Sequence, residues 1–464
     1  MIGMKPASDT NTGSLLGKIL IFAMPIMLMN VLQLLFNAVD MIVVGRFSGS
    51  AALAAVGATG SIVNLMVNCF MGLSVGTSVV VAQSYGAGKY DSISKSVHTS
   101  IALSAIVGLV VMLLGLIFCA PMLRAMGTPE DIIDLSVLYL SIYFLGVPAS
   151  MIYNFSAAIL RAVGDSRRPM YYLMVSGLTN VILNLFFVVA LHMSVAGVAW
   201  ATVISQYLSM VLILVCLYRS QEVIHFSPAQ IRLDGPTLVK IIRIGLPAGL
   251  QNFLFSISNV LIQSALNTFG STAIAANTAS GNIEGFVGTT MNAYYNAAIT
   301  FSGQNMGARQ FDRIDRVAKV STGLVFTTWI LVGGVTLWLG RPLLSIYTTD
   351  PAVVELGLVR MRIMMTAYFA AGIMNVYPGL TRGMGYSVLP MVCTLVGACL
   401  MRIVWLVTFF AWYPTLQMLF ICYPITWFLA GLGQVGVFFY ARRRVRQKTA
   451  PLAAKTAAAT CGPP

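Results

Sequence analysis

Asp40 and Glu284 are the two carboxylates that fall inside the long apolar stretches of this chain, where a carboxyl group can bind and release a proton or hold a cation. A charged side chain at mid-bilayer costs about 3 kcal/mol even on insertion scales, so an acid in that position marks an ion or substrate pathway. Gln33, Asn37 and Asp40 follow one another at spacings that set all three on one helical face, giving a polar stripe that could line a cavity. Asp40 precedes Arg46 by about 9 Å of helix rise, which places it in the outer half of the membrane. Its alternative role is to pin helices together, neutralised by neighbouring amides; the default for an intramembrane acid favours function. Glu284 lies near the midplane and reads as a second proton carrier, as the anchor of a cationic substrate, or as a protonated acid bonded to an amide such as Asn282. Arg402 is the one base inside a span, placed either to hold an anionic substrate group or to pair with Glu284.

Such groups need apolar helices to position them, and composition supplies these. Of 464 residues, 58% are hydrophobic and only 9% charged, with a mean hydropathy of +0.84. The chain therefore reads as an all-α polytopic membrane protein. In a soluble protein the net charge of +14 would point to nucleic acid. Here the basic residues gather in short loops and at the C-terminus, as topology signals, and no nucleic-acid partner is expected. Most of the seven cysteines sit in apolar runs, and His98, His192 and His225 do not cluster with them or with acids. No disulfide framework, metal site or cofactor follows, and no Ser-His pair, paired catalytic acids or phosphate loop points to an enzyme. Met1 to Ser14 is polar and lacks the pattern of a secretory signal.

Twelve apolar runs of helical length are expected, from Ile19–Gly45 to Leu416–Tyr440, with the tenth placed at Ile363–Leu380. When Lys and Arg are assigned to alternate loops, one side holds only Arg46, Arg124, Arg341, Arg360 and Arg362, against the bulk of the 28. That asymmetry puts both termini in the cytoplasm of a multi-pass protein of the inner (plasma) membrane.

The halves repeat. Pro25 falls on Pro247, Asn37 on Asn259, Gln83 on Gln304, Gly86 on Gly307, Arg161 on Arg382 and Pro169 on Pro390. Six spans per copy is an even number, so the copies share one orientation about an axis along the membrane normal. The expected plan is two pseudo-two-fold related six-helix bundles with a central cavity, at 1–218 and 241–440. A cytoplasmic linker covers 219–240, and a tail at 441–464 is first basic and then disordered. Two bundles that tilt about a central site suit alternating access, which a pore would not need. Pro25, Pro247 and Pro378 bend their helices, as hinges or as static kinks.

Asn37 to Gly45 (NAVDMIVVG), followed by Leu53, Ala54 and Ala55, resembles the first-span signature of multidrug and toxic compound extrusion (MATE) transporters. The resemblance extends to the Gln-x-x-Gly-Ala loops at Gln83 and Gln304, to Leu160–Pro169 (LRAVGDSRRP) and to Gly245–Pro247. It is closest to members with a first-span acid, the DinF-like type. It implies that Asp40 is the coupling acid and that Asn180, Asn184 and Thr202 form the polar cluster around it. Some members carry a second acid where Asn184 stands, and sodium-driven members carry a glutamate in the seventh span, which has none here. Asn180 and Asn184 also share a helix face on spacing alone, where ordinary interhelical hydrogen bonding is the other reading.

The resulting expectation is a monomeric antiporter that exports organic cations or amphipathic drugs in exchange for protons, or sodium. The alternative is a lipid-linked oligosaccharide flippase of the same plan, which would need more basic groups than Arg402 in its cavity. A channel is a further class, against which the duplication argues.

Overall fold

Long runs of Leu, Ile, Val, Met and Ala dictate helices, because in a bilayer every backbone polar group must be satisfied within its own segment. The computed structural model describes residues 14–460, and among them the regular structure is helical, without strands. The helices are α1 (Leu15–Phe47), α2 (Ser50–Gly86), α3 (Tyr90–Ala125), α4 (Glu130–Ala162), α5 (Arg167–Asn184), α6 (Ser194–Arg219), α7 (Gly235–Asn267), α8 (Ser271–Gly307) and α9 (Phe311–Thr328). A short α10 (Gly340–Tyr347) leads to α11 (Pro351–Thr366), α12 (Tyr368–Gly383), α13 (Val388–Thr394) and α14 (Leu416–Thr460). Three of them continue through π-helical turns: α5 at Leu185–Ala190, α9 at Trp329–Gly333 and α13 at Leu395–Leu400.

Nine helices among the described residues are apolar and long enough to cross a membrane, and the bent pair α11–α12 makes a tenth. The 37-residue helices α2 and α8, rich in Gly, Ser, Thr and Asn, complete the twelve rods that the sequence predicts. Helices of 33 to 37 residues measure about 50 Å, well beyond the roughly 30 Å hydrocarbon core.

The chain divides into two compact units. One holds Leu20–Tyr85 and Lys89–Phe253, and the other is chiefly Leu254 onward. In the first, α4 packs on both α3 and α6, and α5 packs on α6. The first part of α7 belongs to this unit because α2 and α7 touch backbone to backbone. A Cβ on Gly72 would lie 2.0 Å from the Gly249 amide nitrogen, and one on Gly76 would lie 2.2 Å from the Ile241 carbonyl. Small residues allow helix backbones to approach this closely.

Side chains also tie the stretch after α6 to this unit. The His98 ring accepts from the Ser227 amide at 3.1 Å, and the Thr99 hydroxyl accepts from the Asp234 amide at 3.1 Å. Asp234 opens α7 by accepting from the Thr237 hydroxyl (2.5 Å) and amide (3.1 Å), which holds its carboxyl below the usual range. In the turn before α5, Asp165 accepts from the Arg167 and Arg168 amides and pairs with the Arg168 guanidinium at 3.0 Å. Burial nevertheless pushes the Asp165 carboxyl up.

In the second unit, α12 packs on α8, α14 and α9, and α11 packs on α8 and α14. Here the tenth span departs from expectation. It starts at Pro351, where Asp350 caps the helix by accepting from the Ala352 amide at 2.9 Å, and it bends by 49° between α11 and α12. Arg360 and Arg362, expected in an outer loop, are therefore helical, and Arg360 is buried. The bend falls at Ala367, whereas Pro25, Pro247 and Pro378 each lie inside a helix. The tail also differs. Residues 449–460, read as disordered, extend α14 because an alanine-rich segment has high helix propensity. Residues 1–13 and 461–464 lie outside the described ones.

Candidate functional site

The sequence-predicted cluster assembles within the first unit. Asn180 and Asn184 are one helical turn apart on α5, Asp40 comes from α1 and Thr202 from α6. The Asn184 amide donates both to the Asp40 carboxylate and, at 3.2 Å, to the Asn180 carbonyl oxygen. Asn180 donates in turn to the Thr202 hydroxyl at 3.5 Å, and Thr202 donates to the Val198 carbonyl at 3.0 Å. The result is one directional chain of hydrogen bonds crossing three helices.

Asn184 is fully buried and Asn180 nearly so, while Asp40 is partly exposed. The carboxyl group can thus be reached at one end of a network that is otherwise shielded. The Asn184 carbonyl oxygen has no hydrogen-bond partner among the described residues. An empty acceptor on the same amide that donates to a carboxylate suits a group that changes between donor and acceptor.

Packing holds α1 against α5 at this point. The Phe36 ring, one turn before Asp40, fills the space beside Gly177, one turn before Asn180; a Cβ on Gly177 would lie 1.9 Å from a ring carbon. Sequence reasoning missed this contact, and its only signal was a glycine on the Asn180 face of α5. Tyr139 and Tyr143 of α4 stack at 6.1 Å between ring centroids, and Tyr139 lies within electrostatic reach of Asp40.

Gln33 and Asn37 share the Asp40 face of α1 but do not join the cluster. Both side chains are exposed and make no hydrogen bond among the described residues. They lie nearer the α1 N-terminus, and only Asp40 comes level with the α5 amides.

The second unit sorts its charges differently from the sequence reading. Glu284 of α8 pairs with Arg360 of α11 at 2.7 Å, both side chains being below a tenth exposed. It is therefore partnered neither by Asn282, which is exposed, nor by Arg402. Tyr368 donates to the Glu284 carbonyl at 3.4 Å, and the Arg360 guanidinium lies 5.8 Å from the Phe420 ring centre. Arg360 reads as an outer-loop base when the span is begun at Ile363; Asp350–Pro351 is the signal for the earlier start, an N-cap followed by proline at the first helical position.

Arg402, beyond the π-turn of α13, is 1% exposed. It donates to Asn259 at 2.6 Å and Ser258 at 3.3 Å, between the Phe255 and Tyr423 rings, each 4.7 Å from its guanidinium carbon. This cage replaces a carboxylate with amide, hydroxyl and ring-face interactions. Among the described residues no group of three or more His, Cys, Asp and Glu could hold a metal ion.

Known proteins carry the same plan. The MatE family model matches residues 25–186 and again 247–408, one match in each repeat. The Bacillus subtilis protein named "Probable multidrug resistance protein YoeA" is 29% identical over 386 residues, covering 81% of this chain and 82% of that protein. The "Multidrug export protein MepA" of Staphylococcus aureus strain RF122/ET3-1 is 22% identical, covering 78% and 80%. In fold, the chain superposes on the Vibrio cholerae MATE transporter VcmN in its bent form with a TM-score of 0.85 at 21% identity, over 95% of this chain and 99% of that one. With the family model matching in both halves across most of its length, the chain belongs to the MatE family, as a membrane transporter rather than an enzyme.

Proposed function

We propose that this protein exports organic cations or amphipathic drugs by alternating access in exchange for protons, with Asp40 as the coupling acid. The observation that carries this reading is the chain Asp40–Asn184–Asn180–Thr202, in which one reachable carboxyl group ends a buried, polarised network. The ionised carboxylate accepts from Asn184. Once protonated, Asp40 carries a hydroxyl that needs an acceptor, and Asn184 offers its free carbonyl oxygen if its amide turns over. That turn removes the donor from Asn180 and so reaches Thr202 on α6. Proton binding then has different affinities for two arrangements of α1, α5 and α6, which is the requirement for coupling.

One carboxylate among amides favours a proton over sodium, for which a second acid at Asn184 would make a firmer site. The names of the relatives support drug export over lipid-linked oligosaccharide flipping. So does the engagement of the buried cations, Arg360 by Glu284 and Arg402 by Asn259. We place the protein as a monomer in the inner membrane, and the loop charges support cytoplasmic termini. The test is uptake of a fluorescent organic cation by vesicles holding the protein under an imposed pH or sodium gradient. The pH gradient should drive transport, and Asp40→Asn should abolish it while the protein remains folded. Undiminished transport by that variant overturns the assignment, and transport driven only by sodium overturns the choice of ion.

A further inference from the structure

Away from the coupling cluster, the α8–α9 turn carries a surface pocket of about 470 Å³ whose walls include Arg309, Arg313, Arg316 and, from α14, Arg446. The acids nearby are already engaged. Asp312 accepts from Arg446 at 2.6 Å, and Asp315 accepts from Arg446 at 2.9 Å and Arg442 at 2.5 Å. The Arg309 and Arg316 side chains make no hydrogen bond or ion pair among the described residues, and Arg313 and Arg316 sit close enough to repel one another. Like charges spaced three apart on a helix cost stability unless something anionic lies between them.

The backbone makes the same point. Arg309 has φ 57, a left-handed conformation that side chains other than Gly, Asn and Asp rarely adopt. Its counterpart in the first repeat is Gly88, at φ 67. The second repeat thus sets an arginine where the turn asks for glycine, and strain of this kind is retained where the side chain has a task. The N-terminus of α9 opens into the same pocket, and Gln310 supplies no side-chain cap there.

Depth identifies the anion. The apolar part of α9 begins at Val320, so Arg316 and Arg313 lie about 6 and 10 Å beyond it along the helix. The polar layer on each face of a bilayer is about 5 to 7 Å thick, so Arg316 starts within it and Arg313, just outside, reaches it along its aliphatic stem. We propose that this pocket binds the phosphodiester of an anionic phospholipid, with Arg309, Arg313 and Arg316 around the phosphate and Phe311 against the glycerol. A basic pocket between helices at a membrane face is suited to such headgroups. A bound lipid would clamp α8, α9 and α14 together.

The full-length protein in mild detergent, analysed by native mass spectrometry with added phosphatidylglycerol or phosphatidylcholine, tests this. Phosphatidylglycerol should be retained preferentially, and Arg309→Gly with Arg316→Gln should weaken its binding by about fivefold for each arginine removed. Phosphatidylcholine binding should not change, and millimolar inorganic phosphate should fail to displace the lipid. Arg309→Gly also relieves the strained turn, so its melting temperature should not fall, which separates lost binding from lost folding. Equal retention of the two lipids, unchanged phosphatidylglycerol binding in the double variant, or displacement by inorganic phosphate would each overturn the proposal.

Discussion

The Phe36 ring occupies the space that any side chain at Gly177 would need, with 1.9 Å between a ring carbon and the position of a Cβ there. The contact lies one turn before Asp40 on α1 and two turns before Asn184 on α5, and fixes how closely α1 approaches α5. Overfilling a packed site costs about 1–3 kcal/mol and moves backbones apart. Gly177→Ala should therefore lower driven transport by roughly tenfold, an effect of about 1.4 kcal/mol. Phe36→Leu in the same chain should restore part of it. Uptake by vesicles holding the single and double variants measures the coupling, and simple additivity would mean that the contact does not position the site.

Among the described residues Asn184 is the only donor to the Asp40 carboxylate, and it also serves Asn180. Asn184→Leu keeps the branched outline but removes both hydrogen bonds, so proton-driven uptake should fall as far as in Asp40→Asn. Thr202→Val removes the 3.5 Å contact from Asn180, at the weak end of hydrogen-bond geometry, together with the hydroxyl's bond to the Val198 carbonyl within α6, leaves the Asp40–Asn184–Asn180 links in place, and should cost less than tenfold. The reverse ranking of these variants would place the critical donor on α6.

Glu284 and Arg360 are both buried, so removing one leaves an uncompensated charge. Arg360→Met should destabilise the protein by about 3–5 kcal/mol, and Glu284→Gln combined with Arg360→Met should recover most of this. Thermal unfolding in detergent checks the pair. Equal losses in the single and double variants would show that the ion pair contributes nothing of its own.

Asp234 opens α7 with its carboxyl held below the usual range by the Thr237 hydroxyl and amide. A carboxyl whose folded-state pKa is depressed binds protons more weakly when folded, so its contribution is present above the unfolded value and lost as pH falls through the folded one. Thr237→Ala should reduce the stability of the native chain near neutral pH and change little at pH values below both. Melting temperatures measured from pH 7 down to about pH 3, below the unfolded value, provide the check. A constant difference across that range would mean that Thr237 acts through packing instead.

The helices and the repeat were legible in the sequence because they rest on patterns within the chain, whereas the polar cluster around Asp40 needed the family resemblance as well. Asp40 stood out through its apolar surroundings, and Asn180 and Asn184 were placed on one face by the helical period; the resemblance then linked them to Asp40 and Thr202. The second unit was less legible. Arg360 looked like a loop residue until the Asp350 cap moved the helix start, and Glu284 accordingly seemed to lack any partner except Arg402 or a neighbouring amide. The offset of the two family matches, 25 to 247, sets Arg402 opposite Asn180, so the repeat places a caged cation where the first copy has an amide. A periodic pattern gives the face of a helix but not which neighbour that face meets.

Sequence alone determined that this is a twelve-span, duplicated membrane protein with an acid in its first span, because apolar length, charge asymmetry and helical period are properties of each segment by itself. Tertiary structure decided which polar groups meet: Asp40 with Asn184, Glu284 with Arg360, Arg402 with Asn259, and Phe36 in the gap beside Gly177. Those choices depend on how closely helices distant in sequence can pack, which is set by the shapes of small and large side chains on facing surfaces.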